Sequence, residues 1–333
     1  MKKVIISLVA VSLMAATDCK EVENIPILEK KLRVPIISRG DNVPDFNYGK
    51  DSAVFLLVYL HDNRSLSEFK EDTKLDDETV NNTIALLKSK NWLTEQNGKL
   101  NPSVFVATAK DGEKLYHYAK KISKQIADEI EKELPNIKAE FAKIDMAKKH
   151  NFDHWSFLIL SDVLLDNWQI FEMEKNFFKC PDGSEYNRPL RHGKYYYVSI
   201  QENAEKNRES FGIYGNGIMS FSAEKMIAVY GNNRYSTGYY RNLQSSNNHI
   251  SNEDDKVLIK MAQDFLPKLL NILEKNREYI ENVYQETGYS QKISFEEFFI
   301  WWYHFIYTQA TNDMNERGIL IIPSDGNFDY ECS

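Results

Sequence analysis

The order of apolar and polar positions divides the chain into blocks. Val4 to Ala16 is apolar except at Ser7 and Ser12, and the run ends at Thr17-Asp18-Cys19 before a polar Lys20-Glu21-Val22-Glu23. Residues 20–50 carry Pro26, Pro35 and Pro44 with Gly40 and Gly49, as a lead-in does. Within them Val34-Pro35-Ile36-Ile37 suits an edge strand. From 51 the spacing turns helical. Ser52–Leu60 is a compact apolar helix. Ser65, with Glu68 three residues on, makes a capping box that opens a second. Val80, Ile84 and Leu87 fall on one face of a third, which Trp92-Leu93 closes.

Thr94–Thr108 reads as a hairpin, with Gln96-Asn97-Gly98-Lys99 as its turn and Val104-Phe105-Val106 as its return strand. A long helix opens at Ala109 and carries Leu115, Ala119, Ile122, Ile126 and Ile130. Pro135–Lys149 is a charged helical connector, and Asn151–Phe178 is helical again. Strands are expected at Lys194–Gln201, Phe211–Tyr214, Gly217–Phe221 and Met226–Tyr230, with Gly215-Asn216-Gly217 as a hairpin turn. Asn232–Asn248 is a polar loop. Ser251, with Asp254 reaching back, caps a helix running to about Tyr284, and Ser294 starts another to about Asn312. Gly318-Ile319-Leu320-Ile321-Ile322-Pro323 reads as a last buried strand.

The basic start Met1-Lys2-Lys3, the apolar Val4–Ala16 and Cys19 followed by Lys20 resemble the lipoprotein signals of Bacteroidetes. The apolar run is shorter than the roughly 20 residues that span a bilayer, and it fits a signal-peptide core. The resemblance implies a signal peptide over 1–18, a lipid on Cys19 and a tether over 19–50. It places the protein in a bacterial cell envelope, lipid-anchored on the periplasmic face or the cell surface. Asp18 and Ala16 depart from the usual residues at those positions, and cleavage after Met14-Ala15-Ala16 is the rival.

The order helix, helix, helix, hairpin, helix over 51–134 resembles winged helix domains. It is carried by Leu86-Leu87-Lys88-Ser89-Lys90-Asn91-Trp92-Leu93 and by Thr108-Ala109-Lys110-Asp111-Gly112. The fold class expected is α+β: this domain, then residues 135–333 as an α+β domain with a small antiparallel sheet and long helices.

Charge narrows the partners. The net charge is −8 over 333 residues. Residues 51–120 hold nine Lys and Arg against eleven Asp and Glu, a balance of −2, and Asp76, Asp77 and Glu78 crowd the start of the third helix. The helix dipole accepts them there, but a phosphate backbone would not, so no nucleic-acid partner is expected. Cys180 and Cys332 can pair in an oxidising compartment, or stand as unrelated thiols.

No nucleophile elbow, P-loop, HExxH or CxxC occurs, and no cofactor or metal is expected. His150 and His154 flank Asp153 at i and i+4, without a visible third ligand. Asp162 and Asp166, at the same spacing, read as a solvent-facing stripe. Arg188, Arg191 and His192 form a basic loop suited to an anion. Phe298, Trp301, Trp302 and Phe305 recur with core periodicity, with His304 at the core's edge and a stacking platform as the alternative. Arg234, Tyr235, Tyr239, Tyr240 and Arg241 are the expected ligand-binding residues, since Tyr and Arg are enriched at binding hot spots. The expected function is a non-enzymatic envelope lipoprotein that binds a protein or glycan. The alternatives are an envelope hydrolase with a His and Asp set, or a cytoplasmic winged helix regulator if the leader is misread.

Overall fold

In the computed structural model, residues 26–38, 41–178, 187–202, 214–222, 225–232, 248–323 and 327–332 are described. The fold is α+β, with long helices and small, mainly antiparallel sheets.

Two short strands, β1 (Leu32–Arg33) and β2 (Ile36–Ser38), lead into α1 (Ala53–His61), α2 (Leu66–Thr73) and α3 (Asp77–Ser89). Ser65 and Glu68 close the capping box expected of α2, and Asp76 caps α3 by accepting from the Thr79 amide. The hairpin strands are β3 (Leu93–Gln96) and β4 (Lys99–Pro102). Asn97 and Gly98 both hold positive φ (52° and 75°) between them, as a tight hairpin turn requires. The return strand is therefore 99–102 and not Val104–Val106. The segment β5 (Phe105–Ala107) leaves the hairpin and joins a different sheet.

The helix α4 (Ala109–Phe141) follows, opened by a Thr108/Asp111 capping box. It runs without interruption past the boundary expected at 134/135, with Pro135 inside it. Then come α5 (Met146–Lys149), α6 (Phe152–Phe157), one π-type segment (Leu158–Val163) and α7 (Asn167–Asn176).

A long strand, β7 (Lys194–Glu202), is entered from β6 (Leu190–Arg191) and organises the first sheet. Residues 32–38 run antiparallel along one side of it, Leu32 opposite Glu202 and Ile36 opposite Val198. Pro35 has no N–H for the ladder, yet its carbonyl accepts from the Ser199 amide at 3.1 Å. Along the other side lie β6, antiparallel, and β5, parallel with Phe105 opposite Ser199.

Because successive side chains of a strand face opposite ways, β7 serves two cores. Tyr196, Val198 and Ile200 belong with Leu57, Tyr59, Phe69, Leu87 and Trp92. Tyr197 belongs with the core built on α4 and the C-terminal helices. The Trp92 indole N–H donates to the Tyr196 hydroxyl at 2.9 Å inside the first core.

The second sheet has the order β10-β11-β9-β8, from β8 (Tyr214–Ser222), β9 (Lys225–Asn232), β10 (His249–Ile250) and β11 (Asn327–Cys332). It corrects two expectations. The strand β8 runs straight through Gly215-Asn216-Gly217, with Gly215 opposite Gly231, so that sequence is no turn. Glycine permits a turn but does not compel one, and the ladder along β9 keeps these residues extended. Residues 318–323 form no strand either. Ile319 and Leu320 are buried while Ile321 is 58% exposed, and the last strand is 327–332. Cys332 lies in that strand, whereas Cys180 falls outside the described residues, as does any pairing between them.

The C-terminal helices are α8 (Asn252–Lys275), α9 (Arg277–Glu286) and α10 (Phe295–Glu316). Ser251 and Asp254 form the expected capping box, but the helix breaks at Asn276 before α9. Phe298, Trp301, Trp302 and Phe305 are wholly buried, as their spacing predicted. The opposite face of α10 is buried too, so the helix is a central pillar, with Glu297, His304, Thr308, Gln309, Thr311 and Asn312 buried among its aromatic residues. Truncating one such aromatic side chain to Ala costs roughly 3–5 kcal/mol.

Candidate functional site

Two places gather side chains that chemistry can use. The first is a groove of about 340 Å³ lined by Phe178, Arg277, Glu281, Tyr284, Gln285, Phe295 and Glu296. Helix geometry builds one wall. Arg277, Glu281, Tyr284 and Gln285 sit at i, i+4, i+7 and i+8 of α9, on one face, while Ile280 and Val283 are buried on the other. The start of α10 and Phe178 supply the rest.

The aromatic rings are held in place. The Tyr284 hydroxyl donates to the Ile293 carbonyl at 2.6 Å, and its ring meets Phe295 edge-on at 5.6 Å between centroids. Phe178 approaches Phe295 edge-on at 6.5 Å. Burial, followed by the Glu296 charge, pushes the Tyr284 phenol above its ordinary range. The Arg277 guanidinium lies over the Phe177 ring at 4.0 Å and donates to the Phe177 carbonyl at 2.7 Å. It also bonds Glu274 at 2.7 Å, so its position is fixed. Glu281 and Gln285 remain exposed at the rim.

The second place is a polar cluster where α1 ends, α4 begins and the turn before α10 passes. His61, buried, sets its Nε2 3.0 Å from an Asp111 carboxylate oxygen. The same oxygen accepts from the Thr108 amide at 2.9 Å and from the Thr108 hydroxyl at 2.7 Å. Burial raises the Asp111 carboxyl, but the bonds from His61 and Thr108 outweigh it and hold the group down to about 2. On the other side of the ring, Lys292 Nζ lies 3.2 Å from His61 Nδ1 and 3.2 Å from the His61 carbonyl. Asp62 brings a carboxylate oxygen within 4.8 Å of the His61 and Asp111 donor atoms, a spacing a metal ion can bridge. Lys292 competes with a cation there, and Asp111 already has three donors on one oxygen.

The residues singled out from sequence fare differently. Arg234, Tyr235, Tyr239, Tyr240 and Arg241 lie outside the described residues, as does Cys19. Arg188 and Arg191 are described, but they do not converge on a shared site. Arg188 is buried on Glu174 at 2.6 Å, and Arg191 is buried on Glu297 at 2.6 Å. Each cation is matched by its own carboxylate. His192 (φ 50°) and Gly193 (φ 80°) make the tight turn between β6 and β7.

His150 and His154 do stack, with ring centroids 4.2 Å apart. His150 is extended (φ −140°, ψ 149°) and precedes the helix that Asn151 caps, so the pair does not share a helical face. His154 Nε2 pairs instead with the Asn248 amide oxygen at 2.6 Å.

Asp162 and Asp166 overturn their reading as a solvent stripe, for both are buried. The π winding of 158–163 and the non-helical backbone of Asp166 (φ −108°, ψ −128°) shift the register, so α-helical spacing misplaces them. Burial, and then the Asp166 charge, push the Asp162 carboxyl well above its ordinary range. One Asp162 oxygen meets no partner among the described residues.

No protein-family model, curated protein or solved structure matches the chain. No helix among the described residues is long and apolar enough to cross a membrane.

Sequence reasoning missed both places. The α9 face was open to a helical-wheel reading, because Arg277, Glu281, Tyr284 and Gln285 share it. The polar cluster had no local signal, since His61 and Lys292 are 231 positions apart.

Proposed function

We propose that the protein is a non-enzymatic, lipid-anchored component of a bacterial cell envelope whose partner is a glycan, bound in the groove between α9 and α10. The observation that carries this reading is the groove's mixture of side chains. A sugar ring has apolar C–H faces and a belt of hydroxyls. Tyr284, Phe295 and Phe178 offer aromatic surface for the faces. Glu281, Gln285 and Glu296 offer planar acceptors and an amide donor for the hydroxyls. The volume of about 340 Å³ lies at the small end of the ligand-pocket range. The resemblance of residues 1–20 to a lipoprotein signal supports the anchor and the compartment.

The test is calorimetric titration of the protein with chitooligosaccharides and soluble peptidoglycan fragments. Saturable binding is expected, weakened about tenfold by Tyr284→Ala, the scale of one lost aromatic contact. Gln285→Ala, at an exposed position, should weaken binding without lowering the melting temperature. Binding that survives both substitutions places the site elsewhere. No binding to any of these glycans ends the glycan reading.

A further inference from the structure

We propose that Lys292 is a covalent modification site: an amine that accepts an acyl group from an activated ester or thioester, with His61 as its base and Asp111 orienting that base. The proposal is independent of glycan binding and uses none of the groove residues.

The argument is geometric. A nucleophile needs a base within hydrogen-bond reach, and the base needs a third group to fix its tautomer and angle. Asp111 fills the third role. Its carboxylate is anchored by Thr108 at the first turn of α4 and stays charged, so it accepts the Nε2 proton of His61 at 3.0 Å. That leaves Nδ1 as the ring's acceptor, and Lys292 Nζ is the group 3.2 Å from it. The His61 carbonyl, also 3.2 Å from Nζ, fixes a second direction of the amine. Its remaining direction has no hydrogen-bond partner among the described residues.

The surroundings make the neutral amine easier to reach than on an exposed lysine. Burial pulls Lys292 below its ordinary range, against the opposing pull of the Asp111 carboxylate. Lys99 pushes in the same direction as burial, and Asp62 in the direction of Asp111. A desolvated lysine beside a base is the form in which lysine acts as a nucleophile. His61 is fixed between the two groups and is only 8% exposed, whereas Lys292 keeps part of its surface open to solvent. A reagent therefore meets the amine before the imidazole.

In the step itself, the Nζ lone pair forms an N–C bond to the acyl carbon. The C–O or C–S bond of the donor breaks, and the alkoxide or thiolate leaves with its electron pair. The Nζ proton passes to His61 Nδ1, and the imidazolium so formed is stabilised by Asp111 until it gives that proton to the leaving group. The product is an amide on Lys292 and a free alcohol or thiol. An amide does not turn over, so this is a site of modification and agrees with a protein that is not an enzyme.

The experiment uses the full chain and p-nitrophenyl acetate at a limiting dose near neutral pH. Peptide mass spectrometry then reads the acetylation of each lysine. The reference is Lys256, whose side chain is 67% exposed. Lys292 is expected to label at least tenfold faster than Lys256 in the folded protein, and about equally in urea. His61→Gln and Asp111→Asn should each bring Lys292 down toward the Lys256 rate. Lys292 labelling no faster than Lys256 in the folded protein overturns the proposal. So does an unchanged Lys292 rate in either variant with its circular dichroism intact. Should neither variant fold, the ratio of folded to unfolded labelling in the natural chain decides.

Discussion

Arg191 and Glu297 form an ion pair of 2.6 Å with 3% and 2% of their side chains exposed. The same guanidinium donates to the Asn91 and Ser103 carbonyls, so one residue ties α10 to both ends of the β3–β4 hairpin. Breaking such a pair from one side strands a buried charge. Arg191→Met should cost about 3–5 kcal/mol, while Arg191→Met with Glu297→Leu should recover much of the loss. Urea denaturation of the two variants checks this. A double variant no more stable than Arg191→Met refutes it.

The His304 imidazole is 3% exposed, and burial pushes it down to about 4, with the bond to the Ile300 carbonyl only partly opposing. The unfolded chain takes up that proton near pH 6.5, and the folded chain resists it until about 4. This contribution is whole above about 6.5 and is lost as pH falls toward 4, by about 3 kcal/mol. His304→Gln should remove that part of the acid sensitivity. Denaturation of both proteins at pH 7 and pH 4.5 measures it, and equal losses would exclude His304 as the source.

Asp162 works in the opposite sense. Its folded-state value is raised by burial and by Asp166, so the folded chain holds a proton that the unfolded chain releases. The stability it contributes is present below the ordinary carboxylate range and is lost as pH rises through the folded value. Asp162→Asn should therefore gain in stability relative to the natural chain as pH rises from 4 to 7. A constant difference between the two proteins across that range would contradict the account.

Under the proposed lipid anchor, Cys19→Ala should move the protein from the membrane fraction to the soluble one, since no helix among the described residues is long and apolar enough to cross a membrane. Fractionation with mass spectrometry of the mature N-terminus reads the outcome. A soluble natural chain that still begins at Met1 rejects the lipoprotein proposal.

What could be read from sequence was what is local. The Ser65/Glu68 and Ser251/Asp254 boxes and the Asn97-Gly98 turn each need only a few neighbouring residues, and all three are present. The buried face of α10 was equally open, because four aromatic residues repeat at helical spacing. The errors came where partners decide. Gly215-Asn216-Gly217 has the composition of a turn but pairs along β9. Asp162 and Asp166 read as exposed under α-helical spacing, which the π winding does not keep. Arg188 and Arg191 read as a cationic loop because Glu174 and Glu297, the residues that neutralise them, are 14 and 106 positions away.

The double duty of β7 sets an order on synthesis. The first core holds Trp92 and Val106 in place, yet Tyr196, Val198 and Ile200 that complete it leave the ribosome some time later. The Trp92–Tyr196 bond alone closes a loop of 104 positions. At a translation rate of about 5–20 residues per second, the first hundred residues wait seconds for their central strand. During that wait β5 and the strand at 32–38 have no neighbour on the side β7 will fill, and unpaired strand edges invite association with other chains. Residues 26–141 expressed alone would remain in this waiting state.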